Sequence, residues 1–333
     1  MKLLQIRQII YQRPAIIGLS ISITLLIGFL MQEYLLGRFT LIFEEEYLLQ
    51  DFWIAIVHCL LAGYLPSAYF LLLRGTRNTF EELEHILKPA TTPSYADSAV
   101  HIEKRKLIVW GLLGVLVAVL MPYQTAIAPW DPSTWHPEVV WHRILEPFIG
   151  WWAGWFFGAI WVTSTRTSRL ATRIESVDLL DLSPFSPFVK QGLLTTLLTV
   201  GMISIFSLLL LDPGEWPVVA RAYLGSLAIA LIGFWLPMRG VHQRIHEIKE
   251  AELKWTRERI HQSETLLHSG SADMAPGQMA DLVANLKLIE DVPEWPFESL
   301  TIMHVIGYLL IPMASWLGGL LIESLLEIVF AMQ

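Results

Sequence analysis

The chain has 333 residues, 54% of them hydrophobic and 16% charged, with a mean hydropathy of +0.49. An ordinary water-soluble domain carries about 25% charged residues, so this composition excludes that class and implies an all-α, multi-pass membrane bundle of about seven spans. The net charge of −8 says little about partners, because the basic residues are segregated along the chain, and a single cysteine, Cys59, excludes an internal disulfide.

The first apolar run, Pro14 to Met31, follows Lys2, Arg7 and Arg13 and ends at Gln32, Glu33 and Tyr34. It is long enough to cross a hydrocarbon core of ~30 Å, and no small-x-small cleavage pattern follows it, so a retained anchor is expected. An acidic connection with Glu44, Glu45, Glu46 and Asp51 leads to a second span, Phe52 to Leu73, which ends at Arg74 and Arg77. Asn78 with Glu81 three residues later has the form of a capping box, predicting a separate short amphipathic helix over 78–88. Lys104, Arg105 and Lys106 precede a third span from Leu107 to about Met121.

Residues 123–143, with Trp130, Trp135 and Trp141, read as an outer cap at the membrane surface, where aromatic side chains concentrate. The fourth span, Ile144 to Thr165, holds Gly150, Gly154 and Gly158 at four-residue spacing, so the three glycines share one helical face. Such a groove lets a second helix approach to backbone contact, the way helices associate where lipid removes the hydrophobic driving force. The expected use is packing within one chain rather than between subunits. Arg166, Arg169 and Arg173 then suggest that an amphipathic stretch, 166–182, leaves the membrane along its basic surface.

Spans five and six, Gly192 to Leu211 and Val219 to Pro237, form a tight pair separated by Asp212 to Pro217. This six-span unit, 1–238, gives way to a charged segment, 239–298. There Val241, Ile245 and Ile248, and after a tip at Ser269 to Gly277, Leu282, Leu286 and Ile289, make two apolar stripes at helical spacing. A helical hairpin that docks a partner through those six residues is expected. Pro293-Glu294-Trp295-Pro296 breaks the pattern, and a last apolar run, within 299–333, reads as one span kinked at Pro312 with Glu323 and Glu327 at its far end, a re-entrant segment being the alternative. The stretches DVPEWPF at 291–297 and IPMASWLGG at 311–319 have signature-like composition without a known activity.

The N-terminus, 74–106, 166–190 and 239–287 hold 20 of the 23 Lys and Arg residues, the exceptions being Arg38, Arg143 and Arg221. If the spans alternate, all four segments share one side, and the positive-inside rule makes it cytoplasmic. The protein is thus expected in the plasma (inner) membrane, with its N-terminus and the hairpin cytoplasmic and its C-terminus outside.

The sequence has no Walker A loop, no GxGxxG after a strand, no HExxH and no GxSxG. Its chemistry-bearing groups are ionisable residues near membrane depth, where burial is expensive and function is the first hypothesis. His58, His136, His142 and Glu146, with Asp131 nearby, emerge on the outer side and carry metal-ligand chemistry, though not a metal-ligand spacing. His58 and His304 lie toward opposite membrane faces, which argues against a shared haem. His242 and His246, at i and i+4, read as part of a solvated face, and Arg221 as an arginine snorkelling to the interface. No cofactor is required by the sequence, and a metal is a subsidiary reading.

The partners expected are membrane lipid and either a second copy of the chain or another membrane or cytoplasmic protein, with no nucleic acid. The leading functional expectation is a non-enzymatic membrane scaffold or signalling subunit acting through the hairpin. The alternatives are an oligomeric channel or transporter lined by Ser20, Thr24, Thr195, Thr199 and Ser204, and an intramembrane metal or redox protein built on the outer histidines.

Overall fold

The computed structural model describes residues 13–84, 100–120, 137–174, 178–211, 216–268, 277–297 and 300–312, with isolated positions as far as Leu321. Among them are eight α-helices: α1 (Pro14–Leu35), α2 (Glu46–Glu84), α3 (Lys104–Leu120), α4 (Pro137–Ala171), α5 (Ser186–Phe206), α6 (Trp216–His268), α7 (Gln278–Glu290) and α8 (Leu300–Pro312). No strand occurs among the described residues. Three helical stretches are long and apolar enough to cross a membrane, namely α1, Leu48–Glu84 within α2, and Ser183–Leu209 around α5.

Four helices form the centre. α2 packs against α4 and α5, α6 packs against the same two, and α4 and α5 face each other across the diagonal with little contact. α1 lies outside α2, and α3 lies outside α4. The outer faces of these two helices, Ile16, Leu19, Ile23 and Ile27 on α1 and Val109, Leu112, Leu116 and Leu120 on α3, remain exposed. An apolar surface of that extent suits lipid rather than water.

Local chemistry explains several boundaries. Pro14 opens α1, where its missing N–H costs nothing. Gly37 closes it in the left-handed region at φ 71°, and the Arg38 N–H returns to the Glu33 carbonyl at 2.9 Å, a Schellman closure. The same turn carries the Arg38 side chain back onto the buried Glu33 carboxylate at 2.7 Å.

Three sequence-based boundaries differ from the structure, two of them because a helix continues through the expected break. Asn78 caps nothing: it is an exposed position inside the 39-residue α2. Thr76 and Thr79 on its buried side meet Gln191 of α5, and Phe80 and Leu83 enter the core, so tertiary packing overrides the capping box. The stretch 166–182 is not one amphipathic helix, since α4 ends at Ala171 and the chain turns at Thr172 and Arg173. The Ile174 carbonyl there accepts the Arg244 Nε–H at 2.7 Å.

The boundary at 238/239 falls in the middle of α6, which runs unbroken for 53 residues past Pro237. Met238, Val241 and Ile245 are fully buried on both sides of that point, and a Cβ at Gly240 would meet the Ser168 carbonyl of α4. Packing therefore holds the helix together where composition changes. The outer cap and hairpin tip, apart from residues at their ends, lie outside the described residues, as do Glu323 and Glu327.

Candidate functional site

At the end of the bundle where α1 turns into α2, three side chains from two helices form a hydrogen-bonded row. Asp51 and His58 are seven residues apart on α2, two helical turns, and so share a face. His142 comes from the first part of α4. The His58 Nδ1 and His142 Nδ1 atoms are 2.8 Å apart, and His142 Nε2 is 2.9 Å from Asp51 Oδ1. Both histidines are buried, at 4% and 3% exposure, while the Asp51 side chain reaches the surface at 15%. Phe29 of α1 covers His142, its ring centroid 6.3 Å away, and also stacks on Phe52.

Glu146, one turn after His142, is engaged by Arg143 at 3.1 Å, with both side chains about nine-tenths buried. Of the four residues expected to bind a metal, the fold thus brings His58 and His142 into contact and sets Glu146 on the same face of α4; His136, like Asp131, lies outside the described residues. The contact between the imidazoles has hydrogen-bond length. Two nitrogen ligands on one tetrahedral zinc, at ~2.0–2.1 Å each, would stand about 3.3 Å apart. Among the described residues no group of three or more His, Cys, Asp or Glu side chains is arranged to hold a metal ion.

The glycine groove of α4 receives α3. A Cβ at Gly150 would stand 2.6 Å from the Gly114 carbonyl oxygen, and one at Gly154 would meet the Trp110 carbonyl oxygen. The Trp110 ring covers Gly158, and the Trp151 ring in turn covers Gly111. α1 and α2 cross in the same way at Gly18 and Gly63, where Ser67 Oγ donates to the Pro14 and Gly63 carbonyls at 2.9 Å.

The hydroxyl residues named as pore lining are dispersed. Ser20 and Thr24 are exposed on α1, and Ser204 is partly buried and donates to the Val200 carbonyl. Thr195 and Thr199 are wholly buried on α5 and donate to the carbonyls four residues back. Beside them Gln191, also wholly buried, donates to Thr76 at 2.8 Å and accepts from Thr79 at 3.4 Å. This polar row ties α2 to α5 inside the bundle.

The expected docking stripe is largely consumed within the chain. Val241, Ile245 and Ile289 lie in one buried cluster with Phe80, Leu170 and Phe188, and Ile248 and Leu286 pack against it; Leu282 is partly buried. Two apolar stripes read as a partner surface thus close on each other and on the ends of α2, α4 and α5. Among the described residues of this segment, Trp255, Val283 and Leu288 stay exposed.

His242 is not on a solvated face. Its ring stacks on Trp295 at 4.2 Å and 4°, and its Nδ1 lies 3.1 Å from the Glu294 carbonyl. His246 does reach solvent and pairs with the Glu294 carboxylate at 3.3 Å. Lys249 Nζ donates to the Glu290 and Val292 carbonyls at 2.8 Å, a cation at the carbonyl end of α7. Phe297 then meets Phe234, so the chain from α7 to Phe297 runs back along α6. DVPEWPF is therefore a clasp.

Comparison with protein-family models, with curated proteins and with solved structures finds no match. The residues that sequence reasoning left out are Asp51, taken as part of an acidic connection, and the Glu33–Arg38 pair. The seven-residue spacing of Asp51 and His58 was the available signal for the first.

Proposed function

We propose that the chain is a multi-pass protein of the plasma (inner) membrane, with its N-terminus and the α6–α7 arm cytoplasmic and its C-terminus outside. There it serves as a non-enzymatic scaffold or signal-transmitting subunit. The observation that carries this reading is the continuity of α6. At 1.5 Å per residue its 53 residues measure about 80 Å, against a hydrocarbon core of ~30 Å. One rigid element thus joins the bundle to the arm, and α7 with the 291–297 clasp braces the arm from the side. The buried, self-bonded state of Thr195 and Thr199 favours this reading over a pore through a single chain.

The arm's free surface is where a partner protein binds. Trp255 is 49% exposed, with Arg259 over its ring, and Leu288 is 57% exposed. A photo-crosslinking residue at 255 or 288 in the full-length protein in cells should trap a discrete adduct that the same residue at exposed Asn78 does not. Trp255→Glu with Leu288→Glu should abolish that adduct while leaving the purified protein folded. Crosslinking to lipid alone, or an adduct indifferent to the double substitution, would refute the proposal.

A further inference from the structure

The geometry points to a proton-binding site at Asp51, His142 and His58, which takes up one proton and reverses the hydrogen bond between the two imidazoles as it does so. A contact of 2.8 Å between two ring nitrogens requires one hydrogen between them, so one ring donates and the other accepts. With Asp51 ionised, two arrangements satisfy both contacts of the row. In the unloaded one, both rings are neutral: His142 gives its Nε2–H to Asp51 and accepts at Nδ1 from His58. In the loaded one, His142 is an imidazolium that donates to Asp51 from Nε2 and to His58 from Nδ1. Loading therefore moves the His58 hydrogen from Nδ1 to Nε2, a change of tautomer on α2 caused by a proton gained on α4.

The surroundings limit uptake to one proton. The other charged groups at this end are, among the described residues, already matched: Glu33 of α1 with Arg38 of the following turn, and Glu146 with Arg143 of α4. Glu44 and Glu45 are exposed in the turn before α2, and Cys59 is buried beside His58. The ionised Asp51 carboxylate accepts from His142, so the unloaded triad carries a net negative charge in a place of low dielectric and the loaded one is neutral. A second proton would set two imidazolium N–H groups against each other at 2.8 Å with no acceptor between them. Asp51, at 15% exposure, gives the row its opening to the surface.

The test is solid-state NMR of the full-length protein in nanodiscs with 15N-labelled histidine, titrated from about pH 8 to 5, the range in which imidazole ordinarily changes charge. A 15N–15N coupling across the shared hydrogen identifies the pair in the unaltered protein, because this is the one contact between imidazole Nδ1 atoms among the described residues. The expected result is that one ring of the coupled pair becomes an imidazolium and the other exchanges Nδ1–H for Nε2–H in the same step. Asp51→Asn, which keeps the acceptor but removes the charge, should weaken proton affinity about tenfold or more. The inference is overturned if both rings stay neutral throughout, if both become charged, or if Asp51→Asn leaves the midpoint in place. Should the variant fail to fold, the spectrum of the unaltered protein decides by the first two outcomes. None of these readouts depends on a partner at the arm.

Discussion

Gly154 sits where α3 and α4 come closest, and replacing it tests whether that crossing holds the monomer together. A Cβ there would meet the Trp110 carbonyl oxygen, with the carbonyl carbon at 2.7 Å and Gly111 Cα at 3.1 Å. All three are backbone atoms, so no rotamer change relieves the overlap and the two helices must separate. Overpacking of this kind costs about 1–3 kcal/mol for a methyl group and more for a branched side chain. Gly225 on α6 provides the control, because a Cβ there has nothing within 4 Å. Gly225→Ala should stabilise by about 0.5–1 kcal/mol through helix propensity. Because both glycines lie inside helices, that gain is common to the two variants, and Gly154→Ala should be about 1–3 kcal/mol less stable than Gly225→Ala in reversible denaturant unfolding of the reconstituted protein, whereas Gly154→Leu should fail to give a folded monomer. Equal stability of the two alanine variants, or a well-folded Gly154→Leu monomer, would refute a tight intrachain crossing.

The clasp and the polar row give two further expectations. Trp295→Ala removes the stack on His242 and the ring contacts with Trp235 and Phe297. It should weaken the docking of α7 by about 2–3 kcal/mol, seen as faster amide exchange over 278–290 with the amides of α4 unchanged. Gln191→Leu keeps the volume but leaves the Thr79 hydroxyl without the amide oxygen it donates to, whereas Thr76 retains the Leu72 carbonyl at 2.9 Å. A loss of about 1–2 kcal/mol in unfolding free energy is expected; a loss near zero would mean the row adds nothing to the packing of α2 on α5.

How much of this was legible beforehand varies with the range of the interaction. The helical class and the apolar runs follow from composition, and the Gly150, Gly154 and Gly158 groove from spacing on one helix. Which helix fills the groove does not, because Gly111 and Gly114 of α3 carry no mark that separates them from Gly18 and Gly63. Asn78 misled for a related reason: a capping box is a local signal worth about 1 kcal/mol. The burial of Phe80 and Leu83, and on the same face of α2 the hydrogen bonds that Gln191 donates to Thr76 and accepts from Thr79, outweigh it. The stripe of Val241, Ile245 and Ile289 was visible as a stripe, but a sequence does not say whether an apolar face closes within the chain or on another protein. His58 and His142, 84 residues apart, were brought to one side by the topology, yet their contact and its link to Asp51 are properties of the α2–α4 packing alone.

That packing also accounts for where the ionisable row can lie. Glycine crossings hold α1 to α2 at Gly18 and Gly63 and α3 to α4 at Gly114 and Gly154, so within each pair backbone meets backbone. The surface where α2 meets α4 is instead built of large side chains, including Val57, Leu61, Tyr69, Phe156 and Ile160. An interface of interlocking side chains can shift by rotamer changes, whereas one of backbone against backbone cannot. Asp51, His58 and His142 span this more adjustable of the two kinds of interface. A reversal of the hydrogen bond between the histidines would therefore act where the α1–α2 pair meets the α3–α4 pair, and α4 also packs against α6. His142 thus sits on a helix that packs against both α2 and the single long helix.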